Sequence, residues 1–327
     1  MTIIYRQPDG DERLIHTKTI AIVGYNDLAR YLCGWLRHHP VRLLVTGTQA
    51  DQTNAQADGW HIEIPAVAVQ QADIMFLSVA DEDVSETYMT QVARGLRKGQ
   101  MLIFRSAYAI AFGFIEPPPF IDVGLLAPRS RPPVPDGVSP AKGIRSFIGV
   151  GQDASRSAWE QLLGFAKAVG MLDEGALEVS FEQEAEMSLF VEQAIIPAFH
   201  KIIISATELF IRQGYPIEGI LTDFYLSGKF SDYIQQSSQI GLFGALATAQ
   251  KTTQYGTLTR RERFNELKLE RLLETILNDI RSGNFSKEWA KEYAEGHPRL
   301  DKLQKAQESL DLWDLEQQTI DLFSDNH

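Results

Sequence analysis

The sequence predicts an α/β fold in which a Rossmann-like, doubly wound parallel sheet is followed by an all-helical domain. Between residues 18 and 126, short apolar runs alternate with amphipathic segments, a pattern typical of right-handed βαβ units. The stretch "KTIAIVGYNDLA" places a glycine between a strand and a helix, as dinucleotide-binding units begin. From Ala154 onward, long segments carry apolar residues at i, i+3 and i+4. We therefore assign residues 1–152 to the Rossmann-like domain and 153–327 to the helical domain.

The order of elements follows from the apolar runs. Helical segments such as "DLARYLCGWLRHH" and "VSETYMTQVARGLRKG" separate them, and the second ends on Gly99, a common helix stop. The Pro- and Gly-rich segment 127–143 predicts a loop. Pro197 predicts a kink after Ile196 in the longest helical pattern. The predicted strands are "TIAIVG", "VRLLVTG", "IMFLSVA", "QMLIF", "FIDVGLLAP" and "SFIGVG".

Composition limits the classes of function. The 327 residues are 44% hydrophobic and 23% charged, which is enough apolar material for a sizeable core. The formal net charge of −12 argues against nucleic acid or an anionic membrane as the partner. Cys33, the single cysteine, excludes an internal disulfide and a cysteine-rich metal site. No signal peptide is evident and no apolar run approaches the roughly 20 residues of a membrane span, so we expect a soluble, cytoplasmic protein.

The phosphate turn departs from the dinucleotide-binding pattern Gly-x-Gly-x-x-Gly. Gly24 and Ala29 fit the first and third positions, but Asn26 puts a side chain where the pyrophosphate approaches the backbone. After the second strand there is neither an immediate acidic residue, as for NAD, nor a cation, as for NADP, because no Lys or Arg lies between Arg42 and Arg94. Either nicotinamide cofactor is possible, with NAD favoured. The candidate cofactor-binding residues are Gly24, Tyr25, Asn26, Thr46, Thr48 and Ser78.

The order of parts resembles that of the ketol-acid reductoisomerases, enzymes of branched-chain amino-acid biosynthesis. The likeness covers almost the whole chain and is carried by "TIAIVGY", "ADIMFLSVADEDV", "FGFIEPPPFIDVGLLAP", "SLFVEQA", "QYGT" and "DIRSGNFSKEWAKEYAEG". The resemblance implies an NADPH-binding domain, a knotted helical domain and a homodimer formed through it. It also implies two Mg²⁺ ions, held by four carboxylates, that promote alkyl migration before hydride transfer.

The metal-binding positions of the family are largely altered here. In "SLFVEQ", Ser188 stands where the family has its metal-bridging aspartate, while Glu192 keeps the second position. The family's Glu-x-x-x-Glu pair falls on Asp223 and Ser227, followed by Lys229. Two of the four carboxylates remain, so the sequence predicts no two-magnesium site and no other metal site.

The positions of the catalytic histidine and lysine are altered as well. Ser106 replaces the histidine and lies between Arg105 and Tyr108; Arg129 replaces the lysine, with Arg131 close behind. A guanidinium is a planar fork suited to carboxylate or phosphate, which favours a small anionic metabolite as substrate. The predicted catalytic residues are Ser106, Arg129 and Glu192, and the predicted substrate-binding residues are Arg105, Tyr108, Arg131, Ser188, Asp223, Thr248 and Gln250.

Three hypotheses follow. The first is a divergent family member that performs metal-independent redox or acid–base chemistry on a small anionic metabolite. The second is a non-catalytic protein that binds a metabolite or a partner. The third is a true NADPH- and Mg²⁺-dependent ketol-acid reductoisomerase. Glu184 and Glu186, which share a helix with Glu192, are expected to be solvated or ion-paired across a dimer and not to belong to the site.

Overall fold

The computed structural model describes residues 2–130 and 143–324. Arg131 and most of the predicted loop at 127–143 lie outside the described residues. The chain divides into two compact units, Met1–Met187 and Ser188–His327.

The first unit is built on one eight-stranded sheet. Its strand order is β1-β8-β7-β6-β5-β4-β2-β3; β7 runs antiparallel to β6, β1 runs antiparallel to β8, and the other neighbours are parallel. The six predicted strands are all present as β2 to β7. The strands are β1 (Ile4–Tyr5), β2 (Thr19–Val23), β3 (Arg42–Thr46), β4 (Ile74–Leu77), β5 (Met101–Phe104), β6 (Asp122–Pro128), β7 (Ser146–Gln152) and β8 (Ala176–Glu178).

Both faces of this sheet are buried. In β2, Ile20 and Ile22 belong to one hydrophobic cluster, while Ala21 and Val23 belong to a second cluster. Strands buried on both faces read as continuous apolar runs, which explains why these strands were visible in the sequence. The helices of this unit are α1 (Asp27–Leu36), α2 (Gln49–Ala57), α3 (Pro65–Gln71), α4 (Asp81–Thr87), α5 (Tyr108–Ala111), α6 (Ala158–Ala168) and α7 (Phe181–Phe190).

The first unit is longer than the predicted domain 1–152. After β7, the chain forms α6, whose residues Leu162 and Phe165 are fully buried in a cluster with residues of the sheet. It then returns to add β8 between β7 and the N-terminal strand β1. The predicted division at 152/153 thus lies inside this compact unit, and the elements that follow it complete the sheet and its core.

The second unit is helical. Its first long helix is interrupted by a π-helical turn at Val191–Ile195, directly before Pro197, and a second π-helical turn lies at Thr222–Leu226. The α-helices are α8 (Ile196–Arg212), α9 (Ile217–Leu221), α10 (Lys229–Ile240), α11 (Leu242–Thr248), α12 (Lys251–Arg260), α13 (Leu269–Arg281), α14 (Asn284–Ala294), α15 (Pro298–Glu308) and α16 (Asp311–Ser324).

One continuous helical segment, Phe181–Arg212, is long and apolar enough by length and composition to cross a membrane. The expectation that no segment approaches a membrane span is therefore wrong for this segment. Glu192 and Lys201 interrupt its apolar residues, so the sequence shows no unbroken run. Only 11% of its most apolar window is buried within the chain. A soluble interface helix has the same composition, so the feature alone does not indicate a membrane.

Candidate functional site

The phosphate turn has the backbone of a dinucleotide-binding unit. Gly24 follows β2 with φ of +88°, a conformation that favours glycine. A Cβ at this position would lie 2.8 Å from Cγ1 of Val79. The segment that follows β4 therefore packs too closely against the turn for a side chain at position 24. The Gly24 N–H donates to the carbonyl oxygen of Thr46 at 3.0 Å and ties the turn to the end of β3.

The side chain of Asn26 hydrogen-bonds to neighbouring protein groups, although the residue is exposed. Its Oδ1 accepts from the backbone N–H of Ala29 at 3.1 Å, so the side chain caps α1. The same oxygen accepts from Ser78 Oγ at 2.8 Å, and Nδ2 donates to the carbonyl oxygen of Ser78. The amide therefore stabilises the turn, and these contacts use only one of the two N–H groups of Nδ2. Interference of this exposed side chain with a pyrophosphate stays a prediction.

The other predicted cofactor residues divide into buried and exposed ones. Thr46 and Ser78 are fully buried, which speaks against direct contact with a cofactor and gives both a supporting position. In the described part of the chain, the Thr46 hydroxyl has no hydrogen-bond partner. Thr48 is exposed and caps α2 together with Asp51, whose Oδ2 accepts the Thr48 backbone N–H at 2.8 Å. The residues that fit a dinucleotide are therefore the Gly24–Asn26 backbone and the start of α2.

A polar cluster lies at the carboxyl ends of β4 and β5, where open α/β sheets bind ligands. Ser106 Oγ donates to Oδ2 of Asp81 at 3.2 Å, and Nη2 of Arg105 lies 4.0 Å from Oδ1. Desolvation by surrounding protein raises the pKa of the Asp81 carboxyl, although 43% of the side chain surface remains exposed. Repulsion by Glu184 and Glu82 adds to the rise, while Arg105 and the Ser106 hydrogen bond oppose it. Asp81 was not among the predicted site residues.

A buried ion pair continues this cluster. Glu184 is 1% exposed, and its two carboxylate oxygens accept from Nη2 of Arg129 at 2.9 Å and from the backbone N–H of Ala107 at 2.8 Å. The Arg129 guanidinium also lies over the Phe147 ring, 4.6 Å from its centroid. Glu184 is thus ion-paired inside the first unit and not solvated, contrary to the expectation from its helix. Glu184 shares a buried face of α7 with Phe181 and Ala185. This spacing in the sequence was the signal from which its burial could have been predicted.

Tyr108 packs against two phenylalanine rings. Its side chain is buried, with ring centroids 5.3 Å from Phe112 and 5.6 Å from Phe114. Its backbone N–H donates to Ser106 Oγ at 3.3 Å and so helps to orient that hydroxyl. The structure gives Tyr108 a position beside Ser106, and its contact with a substrate stays a prediction.

The predicted residues of the helical unit are more exposed. Glu192 and Asp223 each lie in a π-helical turn, a feature frequent at functional sites. Asp223 pairs with Lys229 at 3.0 Å, with side chains 68% and 71% exposed. Beside this pair lies an apolar hollow of about 500 Å³ whose walls include Phe224, Phe230 and Tyr233.

The remaining polar positions of this unit have structural contacts or stay predictions. Thr248 closes α11 by donating to the carbonyl oxygen of Ala245 at 3.0 Å, and it accepts from Nε2 of Gln236 at 3.1 Å. Gln250 is exposed at the start of α12, and Ser188 is half-buried on α7. Roles in substrate binding for Ser188, Asp223 and Gln250, and in catalysis for Glu192, stay predictions.

The donor set does not fit two magnesium ions. At the four family positions, Ser188 and Ser227 offer neutral hydroxyls, and Asp223 is already paired with Lys229. Mg²⁺ in proteins favours carboxylate and other hard oxygen ligands in octahedral geometry. Among the described residues, no group of three or more His, Cys, Asp or Glu is arranged to hold a metal ion.

An open α/β sheet with a glycine phosphate turn, joined to a helical unit, defines the class of nicotinamide-dependent oxidoreductases with a helical second domain. Residues 14–175 match the family model "Acetohydroxy acid isomeroreductase, NADPH-binding domain", and residues 181–325 match "Ketol-acid reductoisomerase, C-terminal domain". The chain therefore belongs to the ketol-acid reductoisomerase family, as the resemblance predicted, and its first unit belongs to a family of NAD(P)-binding domains.

Individual relatives agree with this assignment. The chain is 32% identical over 291 residues to a putative ketol-acid reductoisomerase 3 of Saccharolobus solfataricus, covering 86% of each chain. It is 29% identical over 308 residues to a ketol-acid reductoisomerase (NADP(+)) of Pyrobaculum calidifontis, covering 93% of each. Among solved structures, an NADH-preferring ketol-acid reductoisomerase from an uncultured archean shares the fold, with a TM-score of 0.87, 22% identity and coverage of 98% and 99% of the two chains.

Proposed function

We propose that this chain is an NADH-dependent reductase of a small 2-oxo acid, and that it reduces a carbonyl group without the two-metal alkyl migration. The observation that carries the proposal is the chain of contacts Asp81–Ser106, Ala107–Glu184 and Glu184–Arg129 along one edge of the sheet. It brings a carboxyl of raised pKa, a hydroxyl and a guanidinium to the edge where this fold binds ligands. A carbonyl reduction needs a proton donor and a group that orients an anionic substrate, and the cluster contains both.

NADH is favoured over NADPH by the charges after β3. No Lys or Arg occurs between Arg42 and Arg94, so the segment that would face the 2′-position of the adenine ribose has no cation for a phosphate. The Asp51 carboxylate is held at the start of α2 by Thr48 and would repel a phosphate group. The side chain of an aspartate in this region can instead accept from ribose hydroxyls.

The proton reaches the substrate through Ser106. NADH, held at the phosphate turn, would supply the hydride for the carbonyl carbon. Ser106 Oγ would donate its proton to the carbonyl oxygen, which becomes a hydroxyl. The protonated form of Asp81 would then return a proton to Ser106, which reverses the direction of the hydrogen bond seen in this structure. Asp81 is then reprotonated from solvent, and Arg129 orients the substrate carboxylate from its place beside Glu184.

The test is NADH oxidation by the purified protein with a panel of 2-oxo acids, in EDTA and in Mg²⁺. The proposal predicts turnover of at least one 2-oxo acid in EDTA, with no loss relative to Mg²⁺. Acetolactate with NADPH and Mg²⁺ serves as the comparison reaction. If acetolactate is consumed only with Mg²⁺, the proposal gives way to the two-metal reaction of the family. Absence of any turnover, in protein that binds NADH, would favour a non-catalytic binding protein.

We also propose that the helical unit pairs with a second copy of the chain, giving a cytoplasmic homodimer. Apolar side chains on one stripe of the Phe181–Arg212 helix are 39% to 56% exposed: Ile195, Phe199, Ile202 and Leu209. Exposed apolar stripes of this kind mark interaction surfaces. Light scattering on detergent-free protein should give the mass of a dimer. A monomer, or recovery of the protein only with detergent, would contradict this proposal.

A further inference from the structure

The phosphate turn is held by a side-chain network in addition to its glycine. Tyr25 lies between Gly24 and Asn26, and its side chain is 2% exposed. Its hydroxyl donates to Oδ2 of Asp58 at 2.8 Å. Asp58 also accepts two hydrogen bonds from Arg30, at 2.7 Å from Nε and 3.0 Å from Nη2. The turn, α1 and the residue that ends α2 therefore meet at one carboxylate.

The network joins two regions that a dinucleotide would contact. α2 begins at the Thr48 cap, next to the proposed ribose site, and its C-terminal cap is Asp58. The C-terminal cap of α2, Asp58, thus contacts the phosphate turn, while its N-terminal cap, Thr48, lies at the proposed ribose site. The carboxylate is ionised at neutral pH, since its hydrogen bonds with Arg30 lower the pKa of Asp58.

A cleft lies next to this network. A cavity of about 260 Å³ lies beside the hydroxyl, lined by Tyr25, Arg30, Arg37, Asp58 and Trp60 among others. Tyr25 itself belongs to a buried hydrophobic cluster, so packing and the hydrogen bond to Asp58 together hold its ring. Arg37 and Trp60 form part of the wall of this cleft. The guanidinium carbon of Arg37 lies over the Trp60 ring, 4.8 Å from its centroid.

We infer that Tyr25, Asp58 and Arg30 are positioning residues that hold the phosphate turn ready for NADH. The inference rests on the proposed cofactor role of the turn. With Asn26 in place of the second glycine, the turn relies on side-chain contacts at two of its three residues, Asn26 to Ser78 and Tyr25 to Asp58. A turn already in its binding conformation loses less conformational entropy when the ligand binds.

The central experiment is calorimetric titration of Tyr25→Phe with NADH. Loss of the hydroxyl should raise the Kd for NADH roughly fivefold to tenfold, the range expected for the net contribution of one ordinary hydrogen bond. The KM for NADH should rise in parallel with kcat unchanged, because Tyr25 does not touch the reacting atoms. Asp58→Asn should act in the same direction, and the double variant should be no worse than the more affected single variant, since both changes break one contact.

Tyr5→Phe is the matched control. Tyr5 donates to Oε2 of Glu178 at 2.8 Å, a tyrosine–carboxylate hydrogen bond of the same length between β1 and β8. Its removal should lower the stability of the first unit to a similar extent and leave the Kd for NADH unchanged. Equal weakening of NADH binding in Tyr5→Phe and Tyr25→Phe would overturn the inference, because a general loss of stability would then explain both.

A second measurement does not depend on the cofactor. In the free protein, Tyr25→Phe should speed hydrogen exchange at the amides of Ala29 and Arg30, which are bound to Asn26. Tyr5→Phe should leave these two amides as they are. Unchanged exchange in Tyr25→Phe contradicts the positioning role. Wild-type protein that fails to bind NADH, with exchange behaving as expected, would instead contradict the proposed function.

Discussion

Two ion pairs of nearly equal length illustrate how the two units differ. Arg129 and Glu184 in the sheet unit are 2.9 Å apart, with side chains 28% and 1% exposed. Lys229 and Asp223 in the helical unit are 3.0 Å apart, with side chains 71% and 68% exposed. The first pair has a further backbone donor at Ala107 and an aromatic ring beneath the guanidinium. Solvent screens the second pair, so the same distance corresponds to a much smaller free energy.

The candidate site residues of the two units are therefore held in different ways. The sheet unit sets its polar groups in position by contacts within that unit. In the helical unit, the Asp223 carboxylate is exposed. Apolar residues of this unit such as Ile202 and Phe243 are 56% and 79% exposed. Exposed apolar side chains of this kind mark a surface that binds another molecule. The sheet unit is therefore where single substitutions should have large effects on the isolated chain.

Replacing Glu184 by Ala should have the largest effect on stability. The change leaves the Ala107 N–H and the partly buried Arg129 without their carboxylate, and we expect the free energy of unfolding to fall by about 3 kcal/mol. Urea unfolding of wild type and variant measures the difference. Glu184→Gln keeps the shape of the side chain and one hydrogen-bond acceptor, so its free energy of unfolding should fall by less than that of the alanine variant. A loss below about 1 kcal/mol for the alanine variant would show that the pair is not a stabilising element.

Asp81→Asn should have the next largest effect, on activity and not on stability. Loss of the proton donor should lower kcat for 2-oxo acid reduction by about two orders of magnitude, while the Kd for NADH stays unchanged. In the wild type, kcat/KM should fall as pH rises through the raised pKa of Asp81, because only the protonated carboxyl can donate. The pH–rate profile of Asp81→Asn should lack that fall. An unaltered profile would remove Asp81 from the mechanism.

Asp223→Ala should have the smallest effect. The pair with Lys229 is exposed at both ends, and its loss should change the free energy of unfolding by less than about 0.5 kcal/mol. The same urea measurement as for Glu184 compares the two pairs directly. A cost equal to that of Glu184→Ala would mean that Asp223 is buried in solution, and the contrast between the two units would fail.

The sheet and its phosphate turn could be predicted from the sequence because their signals are local. Each two-sided strand is an apolar run, and glycine after a strand marks the turn. The N-cap role of Asn26 was also readable, since Asn is a preferred capping residue. β8 was missed because its three residues, "ALE", carry almost no strand signal.

The contacts of the candidate site were less predictable. Glu184 and Arg129 are 55 residues apart, and Asp58 and Tyr25 are 33 apart. Periodicity describes only the face of a helix or strand on which a residue lies, and it does not identify the distant partner that the fold brings to it. Asp81 was overlooked because its partner, Ser106, is reached only when β4 and β5 pair side by side.

The measurement that tests the central claim most directly is calorimetric titration of the purified protein with NADH and NADPH, each in EDTA and in Mg²⁺. The claim is that the phosphate turn is a working NADH site that needs no metal. It predicts micromolar binding of NADH that is the same in EDTA and in Mg²⁺, with NADPH binding more weakly. Absence of binding by either nucleotide to the folded protein, or binding that appears only with Mg²⁺, would contradict it.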